Sequence, residues 1–191
     1  MYILVGQSDR KAGAVYRMAH EGLTKRVIGG HWGLCPKMME LISENKIEAY
    51  NLPQGQMANM FHSMALREPG KISKIGLGTF IDPRVEGGKM NARTRHLEDI
   101  VDVVKFDGEE YLRYREIPID TLLIRGTYAD ENGNISTQEE AMVLELLPAV
   151  MATRRFGGQV ICQVKQVVKA GSISPKEVVV PGVLVDAVAC M

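Results

Sequence analysis

Cysteine and histidine are too sparse in this sequence to predict a disulfide framework or a metal centre. The three cysteines, Cys35, Cys162 and Cys190, are scattered and odd in number, and no Cys-x-x-Cys pair occurs. None of the four histidines stands at metal-ligand spacing from another. We therefore expect no metal, three buried and reduced thiols, and a cytoplasmic setting.

Net charge and long apolar runs are also missing. The 23 basic and 23 acidic residues cancel, so no overall field would attract a nucleic acid or an anionic membrane. The longest apolar stretches, near Val178–Val185, are strand-sized and far short of the roughly 20 residues that a membrane helix needs. No secretory signal is visible at the amino terminus. The sequence predicts neither a nucleic-acid partner nor a membrane partner.

The chain alternates short β-rich runs with helical stretches over its 191 residues. This order predicts one α/β domain over residues 1–191, with a mostly parallel sheet flanked by helices. The predicted strands are Tyr2–Val5, Arg26–Ile28, Glu48–Leu52, Lys74–Leu77, Thr121–Thr127 and Gln159–Val168. Four helices are predicted. One ends at Glu21, one covers Pro36–Glu44, one follows Pro53, and one covers Glu139–Phe156. Asp107-Gly108 between β-forming residues predicts a β-hairpin, Val101–Tyr114, which interrupts this rhythm as a flap.

Three segments follow predicted strands, where ligands bind in open α/β sheets. They are Gly29–Gly33, Pro53–Gly55 and Gly76–Phe80. Gln54 is the most suggestive residue, because an amide at a helix start stands beside free N–H groups at the positive end of the helix dipole, which suits an oxyanion or a carboxylate. A simple polar helix-start residue is the alternative. Likewise, His31 could reach a ligand or could only structure its turn.

Other motifs point to no chemistry. Gly76-Leu77-Gly78 lacks the third glycine of a dinucleotide fingerprint, and Glu86–Lys89 lacks the upstream glycine and the Ser/Thr of a P-loop. Asp130, Asn132 and Asn134 alternate as in a calcium loop, but no acidic twelfth ligand follows, so we expect a turn. Glu109-Glu110 and Glu139-Glu140 are interpreted as solvated or helix-start charges. From the residues alone, the sequence predicts a ligand-binding α/β domain of open specificity.

Read in order, the loops resemble the family I coenzyme A transferases, in particular the propionate/acetate branch. The matching stretches are His20–Leu23, Gly30–Gly33, Asn45–Lys46, Glu48–Asn51, Pro53–Gly55, Pro69–Gly70, Ile75–Arg84, Gly87–Lys89, Glu110–Leu112, Ile124–Thr127, Gln163–Val164 and Val180–Gly182. The resemblance covers nearly the whole chain but only part of the family's amino-terminal half. It implies the three-layer fold of these enzymes.

The resemblance also implies a reaction. Family members transfer CoA between an acyl-CoA and a short-chain carboxylate through a glutamyl-CoA thioester, with CoA as co-substrate and no other cofactor. The family's glutamate belongs to a carboxy-terminal half that has no match here, and Glu44 in Ser43–Lys46 is interpreted as a helix-end residue. Gln54 matches a catalytic glutamine that supplies an oxyanion donor. Gly78, Thr79 and Phe80 match a loop lining the acyl pocket, and Gly30 and His31 lie in a matching substrate-binding motif.

Two further hypotheses stand beside a split or fragmentary transferase. The chain could be a non-catalytic fragment or partner subunit that folds or oligomerises without turnover, with the other half of the transferase on the same or a separate chain. We expect a homo-oligomer in either case. A sugar-phosphate isomerase would need a paired acid and base and phosphate-binding Ser/Thr loops, which we do not find.

Overall fold

The computed structural model describes residues 2–5 and 14–190 and divides into two compact units. The first unit comprises Met1–Met60 and Gly70–Arg115, and the second comprises Phe61–Pro69 and Glu116–Met191. The first unit has two sheets and the second has one, and each unit has its own cluster of buried apolar residues. A single domain over residues 1–191 stays a prediction.

The first unit is built on a parallel three-stranded sheet in the order β1-β2-β3. Its strands are β1 (Tyr2–Val5), β2 (Arg26–Gly29) and β3 (Glu48–Asn51). Helix α1 (Ala14–Met18) follows β1, and helix α2 (Pro36–Ser43) connects β2 to β3 with Pro36 in its first turn, where the missing N–H costs nothing. These elements match the predictions except that α1 ends before Glu21.

Helix α2 buries one face against the sheet. Its buried residues Met38, Leu41 and Ile42 have the i, i+3, i+4 spacing of an amphipathic helix, and they pack in one cluster with Val27 and Ala49 of the sheet. Helix α3 (Gln54–Ala65) follows β3, as the methionine spacing predicted. The loops after β2 and β3 therefore begin at the same edge of the parallel sheet.

A second, antiparallel sheet in this unit has the order β4-β6-β5. The predicted hairpin is confirmed as β5 (Val101–Phe106) and β6 (Glu109–Tyr114), joined by Asp107 and Gly108. Strand β4 (Lys71–Ser73) completes the sheet, and a short helix, α4 (Ala92–Arg95), lies before the hairpin. The predicted strand Lys74–Leu77 is wrong, because Gly76 adopts a φ of +98° and these residues form turns.

The second unit has a four-stranded sheet in the order β10-β9-β7-β8. Its strands are β7 (Thr121–Asp130), β8 (Ile135–Ser136), β9 (Gln159–Val168) and β10 (Ala187–Cys190). Strands β7, β9 and β10 are parallel, and only β8 is antiparallel to its neighbour. Helix α5 (Leu146–Arg155) packs Val150 with Ile124, Val160 and Cys162 of this sheet.

Helix α5 is shorter than the predicted Glu139–Phe156. A helix that began at Glu139 would put Pro148 in its interior, where the ring removes a hydrogen bond and clashes with the preceding turn. In the structure Pro148 lies in the first turn of α5, which tolerates it. Glu139 and Glu140 are therefore not helix-start residues. Their carboxylates pair with Lys165 at 2.7 Å and with Arg125 at 3.2 Å.

The parallel sheet of the first unit, the mostly parallel sheet of the second and their helices confirm the predicted α/β class. One prediction about the cysteines is wrong: Cys35 and Cys162 are buried, but Cys190 on the edge strand β10 is exposed.

Among the described residues, no helix combines the length and the apolar character needed to span a membrane.

Candidate functional site

The start of α3 leaves several hydrogen-bond donors available. Leu52 donates its N–H to the carbonyl of Gly29 over 3.0 Å, which fixes the end of β3 beside the end of β2. Helix α3 then begins with the exposed side chain of Gln54. Within the described part of the chain, no acceptor binds the backbone N–H of Gln54 or of Gly55. Three donors, one side-chain amide and two backbone N–H groups, thus stand at the positive end of this helix.

Gln56, in the same first turn, has a buried polar atom without a partner. The residue is 4% exposed, and its Oε1 accepts no hydrogen bond. In a capping box, the glutamine at the third helical position accepts from the N–H of the N-cap residue. Residue 53 is a proline and has no N–H, so this partner does not exist. The signal in the sequence is Pro53 three residues before Gln56, but its meaning is clear only once the start of α3 is known.

The loop after β2 is fixed by its tryptophan. Trp32 is buried, its ring lies where a Cβ at Gly29 would be, and its Nε1 donates to the carbonyl of Tyr50 on β3 over 3.4 Å. Gly30 is half-buried and His31 is exposed. The imidazole of His31 lies against Gly33, where an added Cβ would meet Nε2 at 2.8 Å. This contact favours a turn-structuring histidine, and a ligand contact for Gly30 or His31 stays a prediction.

The glycine loop Gly76–Phe80 is anchored at its base on the hairpin. Tyr114 of β6 is fully buried and donates its hydroxyl to the carbonyl of Ile75 over 2.7 Å. Burial raises the pKa of Tyr114 to about 12, so the hydroxyl remains a donor at neutral pH. A Cβ at Gly76 would meet the same hydroxyl at 2.7 Å, so no larger residue fits there. The apex residues Gly78, Thr79 and Phe80 are exposed.

Gly88 brings this loop to the edge of the parallel sheet. Its N–H donates to the carbonyl of Phe80 and its carbonyl accepts from the N–H of Asn51, both over 2.8 Å. The sequence predicted that this loop follows a strand of the parallel sheet. This prediction is wrong, because the preceding strand β4 belongs to the antiparallel sheet. The loop nevertheless reaches the carboxyl end of β3 through Gly88. Gly30, His31, Gln54 and Phe80 therefore lie on three loops joined by backbone hydrogen bonds.

Asp82 and Arg84 stabilise the glycine loop, and the sequence did not predict a role for either residue. The Asp82 side chain is 1% exposed, and its carboxylate accepts from the N–H of Gly78 at 2.9 Å. The Arg84 guanidinium binds the same carboxylate through Nε at 3.0 Å and Nη2 at 2.8 Å. These hydrogen bonds hold the pKa of Asp82 well below its usual range. A local Asp-Pro-Arg sequence is the only signal, and it does not reveal the bond to Gly78.

Two sequence interpretations are consistent with the contacts outside the loops. Glu44 caps the carboxyl end of α2 and pairs with Lys46 at 3.2 Å. It precedes β3, so it lies at the opposite edge of the sheet from Gln54. Asp130 accepts hydrogen bonds from the N–H groups of Asn132, Asn134 and Gly171, as a turn residue does. No cluster of three potential metal-binding side chains occurs among residues 15–190 as described.

The chemistry available on the three loops is donation of hydrogen bonds. The segments 29–33, 53–56 and 76–80 contain no Asp, Glu, Lys or Arg, and His31 is their one titratable side chain. Such loops can bind and polarise a carbonyl or carboxylate oxygen through neutral donors. They offer no carboxylate to act as a nucleophile.

Comparison with known proteins identifies the family. A sequence model of the coenzyme A transferase family matches residues 11–190. The chain is 43% identical over 183 residues to the acetate CoA-transferase YdiF of Escherichia coli K12, covering 96% of this chain and 34% of that protein. It is 42% identical over 178 residues to the caffeate CoA-transferase of Acetobacterium woodii, covering 93% of this chain and 34% of that protein.

A solved structure extends the likeness to three dimensions. The acyl-CoA transferase YdiF of Escherichia coli O157:H7, in a thioester complex with CoA, matches with a TM-score of 0.93 and 41% identity. The match covers 100% of this chain and 37% of that one, so this chain spans little more than a third of its relatives' length. The match confirms the expected three-layer α/β fold. The family model and both relatives agree with the resemblance seen in the loops, and this chain therefore belongs to the coenzyme A transferase family.

Proposed function

We propose that this chain is part of a short-chain acyl-CoA:carboxylate CoA-transferase whose nucleophilic glutamate lies outside these 191 residues. Its relatives are named for CoA transfer to acetate and caffeate, and one was solved as a thioester complex with CoA. The three loops of this chain carry hydrogen-bond donors but no carboxylate. In this proposal, this chain binds and polarises the thioester carbonyl, and another segment supplies the attacking glutamate.

The proposed reaction proceeds in two halves. The glutamate carboxylate attacks the thioester carbonyl, the C–S bond breaks, and an acyl-glutamyl anhydride and the CoA thiolate form. The thiolate then attacks the glutamyl carbonyl of the anhydride, which releases the first carboxylate and leaves a glutamyl-CoA thioester. A second carboxylate takes the CoA by the reverse sequence. Negative charge develops on a carbonyl oxygen in each attack, so fixed donors lower each barrier.

The observation that carries this proposal is the set of free donors at the start of α3. The exposed amide of Gln54 and the unbonded N–H groups of Gln54 and Gly55 stand together at one helix end. Backbone hydrogen bonds from Leu52 and Asn51 fix the preceding residues, so these donors need little reorganisation during the reaction. In this proposal Gln54 donates to the oxyanion.

The other loops form the walls of the acyl site in this proposal. Gly78, Thr79 and Phe80 face the acyl group from one loop, and Gly30 and His31 contact the substrate from the loop after β2. The exposed ring of Phe80, with 48% of its surface accessible, is available for an apolar acyl chain. The acetate and caffeate of the named relatives differ greatly in size, so the acyl group that this chain accepts has to be measured.

We propose two partners for the chain besides acyl-CoA and the acceptor carboxylate. One is the remainder of the transferase, carried on the same or a separate polypeptide, since relatives are about three times as long. The other is a second copy of the same assembly, as a homo-oligomer. A cytoplasmic setting stays a prediction.

The first experiment measures CoA exchange between acetyl-CoA and propionate. The 191-residue chain alone should give no propionyl-CoA and no glutamyl-CoA adduct by mass spectrometry. Co-expression with the remaining segments of the Escherichia coli relative should restore both. An adduct on the chain alone would place the nucleophile within it, and a folded but inactive complex would contradict the proposed transfer.

Gln54→Ala tests the oxyanion role in the active complex. We expect the rate of transfer to fall by about 10- to 1,000-fold, because one neutral donor is lost from the transition state. Gln166→Ala, which removes an exposed glutamine from β9, is the matched control and should leave the rate within about twofold. An unchanged rate in Gln54→Ala would remove Gln54 from this role.

A further inference from the structure

We propose that Asp82 is a positioning residue that sets the acyl-group selectivity of the transferase. It does so by fixing the apex, Gly78–Phe80, of the glycine loop. The inference rests on the proposed function, in which this loop is a wall of the acyl site. Asp82 itself is buried and its carboxylate binds the loop backbone, so in this proposal it acts through the loop and not on the substrate.

Asp82 contacts the backbone of the loop at two neighbouring apex residues, Gly78 and Thr79. The carboxylate accepts from the N–H of Gly78 at 2.9 Å, and the N–H of Asp82 donates to the carbonyl of Thr79 at 3.0 Å. The carbonyl of Asp82 accepts from the N–H groups of Val85, Glu86 and Gly87 at 2.9–3.1 Å. One residue therefore connects the apex of the glycine loop to the turn that leads to Gly88.

Arg84 extends this connection to the hairpin. Its guanidinium binds both oxygens of Asp82, and its Nη1 donates to Glu110 of β6 at 2.8 Å. Tyr114 of the same strand holds Ile75 at the base of the loop. The loop is thus attached to β6 at two points, and the buried carboxylate of Asp82 links the second point to Gly78.

The donors of the loop show what this arrangement achieves. The N–H of Gly78 is bound by Asp82, and the N–H of Thr79 is bound by the carbonyl of Gly76 at 3.1 Å. The N–H of Phe80 has no acceptor in the described part of the chain. The apex is held in shape by these contacts, and Phe80 carries both an exposed ring and an N–H that none of these contacts uses.

Loosening this loop should change selectivity more than catalysis. The backbone that carries the Phe80 ring would be held less firmly, so acyl chains long enough to meet the ring would be discriminated less well. An acetyl group has a single methyl group beyond its carbonyl, so we expect it to depend less on that wall and to react nearly as before. A loss of overall stability would instead lower the active fraction for every substrate equally, and would leave the ratio between substrates unchanged.

Asp82→Asn is the direct test. One carboxylate oxygen becomes an NH2 group that faces N–H donors in either orientation, those of Gly78 and Arg84 Nη2 or the backbone N–H and Nε of Arg84. Arg84→Lys is the second variant, since it keeps the charge but loses the two-point bond. Asp102→Asn is the matched control, because Asp102 binds Arg113 on the hairpin and Arg115 just after it, without contacting the loop.

The first measurement uses the chain alone and needs no activity. Amide hydrogen exchange should be slow at Gly78 in the wild type and about tenfold faster in Asp82→Asn, with no change at Gly78 in Asp102→Asn. Circular dichroism checks that each variant is folded, and Arg84→Lys should show a smaller increase in exchange. Equal exchange at Gly78 in the wild type and in both loop variants would overturn the proposal.

The second measurement compares acetyl-CoA with butyryl-CoA in the complete assembly. Asp82→Asn should change the ratio of the two kcat/KM values by about three- to tenfold, through KM for butyryl-CoA, with kcat for acetyl-CoA nearly kept. The same ratio in the wild type, Asp82→Asn and Asp102→Asn would overturn the proposal while the transferase function stands. An inactive wild-type assembly would contradict the proposed function itself, and the role of the loop with it.

Discussion

The carbonyl of Gly88 accepts a hydrogen bond from the N–H of Asn51 over 2.8 Å, and this bond connects the glycine loop to the end of β3. Gly88 also donates to the carbonyl of Phe80, so it stands between the loop and the start of α3. The candidate site depends on this residue, although Gly88 contributes no side chain. It can occupy the position because glycine tolerates a φ of +72° and a close approach to the carbonyl of Asn51.

Gly88→Ala should destabilise the first unit more than Gly78→Ala. Both glycines have a left-handed φ, +72° and +70°, so both variants incur a backbone strain of about 1–2 kcal/mol. A Cβ at Gly88 would also lie 2.8 Å from the carbonyl of Asn51, whereas nothing lies within 4 Å of a Cβ at Gly78. We expect a total loss of about 2–4 kcal/mol for Gly88→Ala.

Urea denaturation followed by the fluorescence of Trp32, the chain's single tryptophan, measures this difference, because Trp32 lies in the same unit. Equal losses of stability in the two variants would mean that the contact between residue 88 and Asn51 is not rigid.

Gln56→Leu should make the protein more stable. The substitution replaces a buried amide whose Oε1 has no partner with an apolar group of similar size, for a gain of about 1 kcal/mol in the free energy of unfolding. Gln56→Glu should have the opposite effect, since it would bury a charge. The exposed Gln166→Leu is the control and should change stability little. A loss of stability in Gln56→Leu would show that the amide has a partner in solution, such as an ordered water.

The stabilising effect of Asp82 should disappear in acid. The hydrogen bonds from Arg84 lower the pKa of Asp82 below its ordinary value of 3.8. A group whose pKa is lower in the folded state stabilises that state above its unfolded pKa and loses this effect as the pH falls towards its folded pKa. The difference in unfolding free energy between wild type and Asp82→Asn should be constant from pH 7 to 5 and shrink below pH 4.

Urea titrations at several pH values measure that difference. Asp102, whose pKa is also lowered, first by Arg115 and then by Arg113, should give a change in the same direction in Asp102→Asn. A difference for Asp82→Asn that is independent of pH would show that the carboxylate has no special interaction in the folded state.

One thiol of the three should react in the native protein. Cys190 is exposed, whereas Cys35 and Cys162 are buried, and burial raises the pKa of Cys162 to about 11. Ellman's reagent at neutral pH should therefore titrate one equivalent rapidly and the other two only after denaturation. Cys190→Ser should abolish the rapid phase, and a rapid phase that survives in this variant would mean that one of the buried sites opens readily.

Local patterns were sufficient for much of the fold. The strands β2, β3 and β9, helix α2 and the Asp107-Gly108 hairpin follow from short-range rules on periodicity, proline position and turn chemistry. The errors occurred where a distant contact or a single residue overrides propensity. Pro148 sets where α5 can begin, and the packing of Gly76 against Tyr114 turns Lys74–Leu77 away from a strand.

The sequence by itself determined the α/β class and the family resemblance, and it predicted the candidate loops, because these depend on residue type and order along the chain. Tertiary structure alone decided how the loops meet. The bonds from Gly88 to Asn51 and Phe80, and from Asp82 to Gly78, follow from where the loops fold in space and not from any sequence pattern. The missing partner of Gln56 likewise becomes apparent only when Pro53 is seen at the N-cap, because a hydrogen bond requires both a donor and a position.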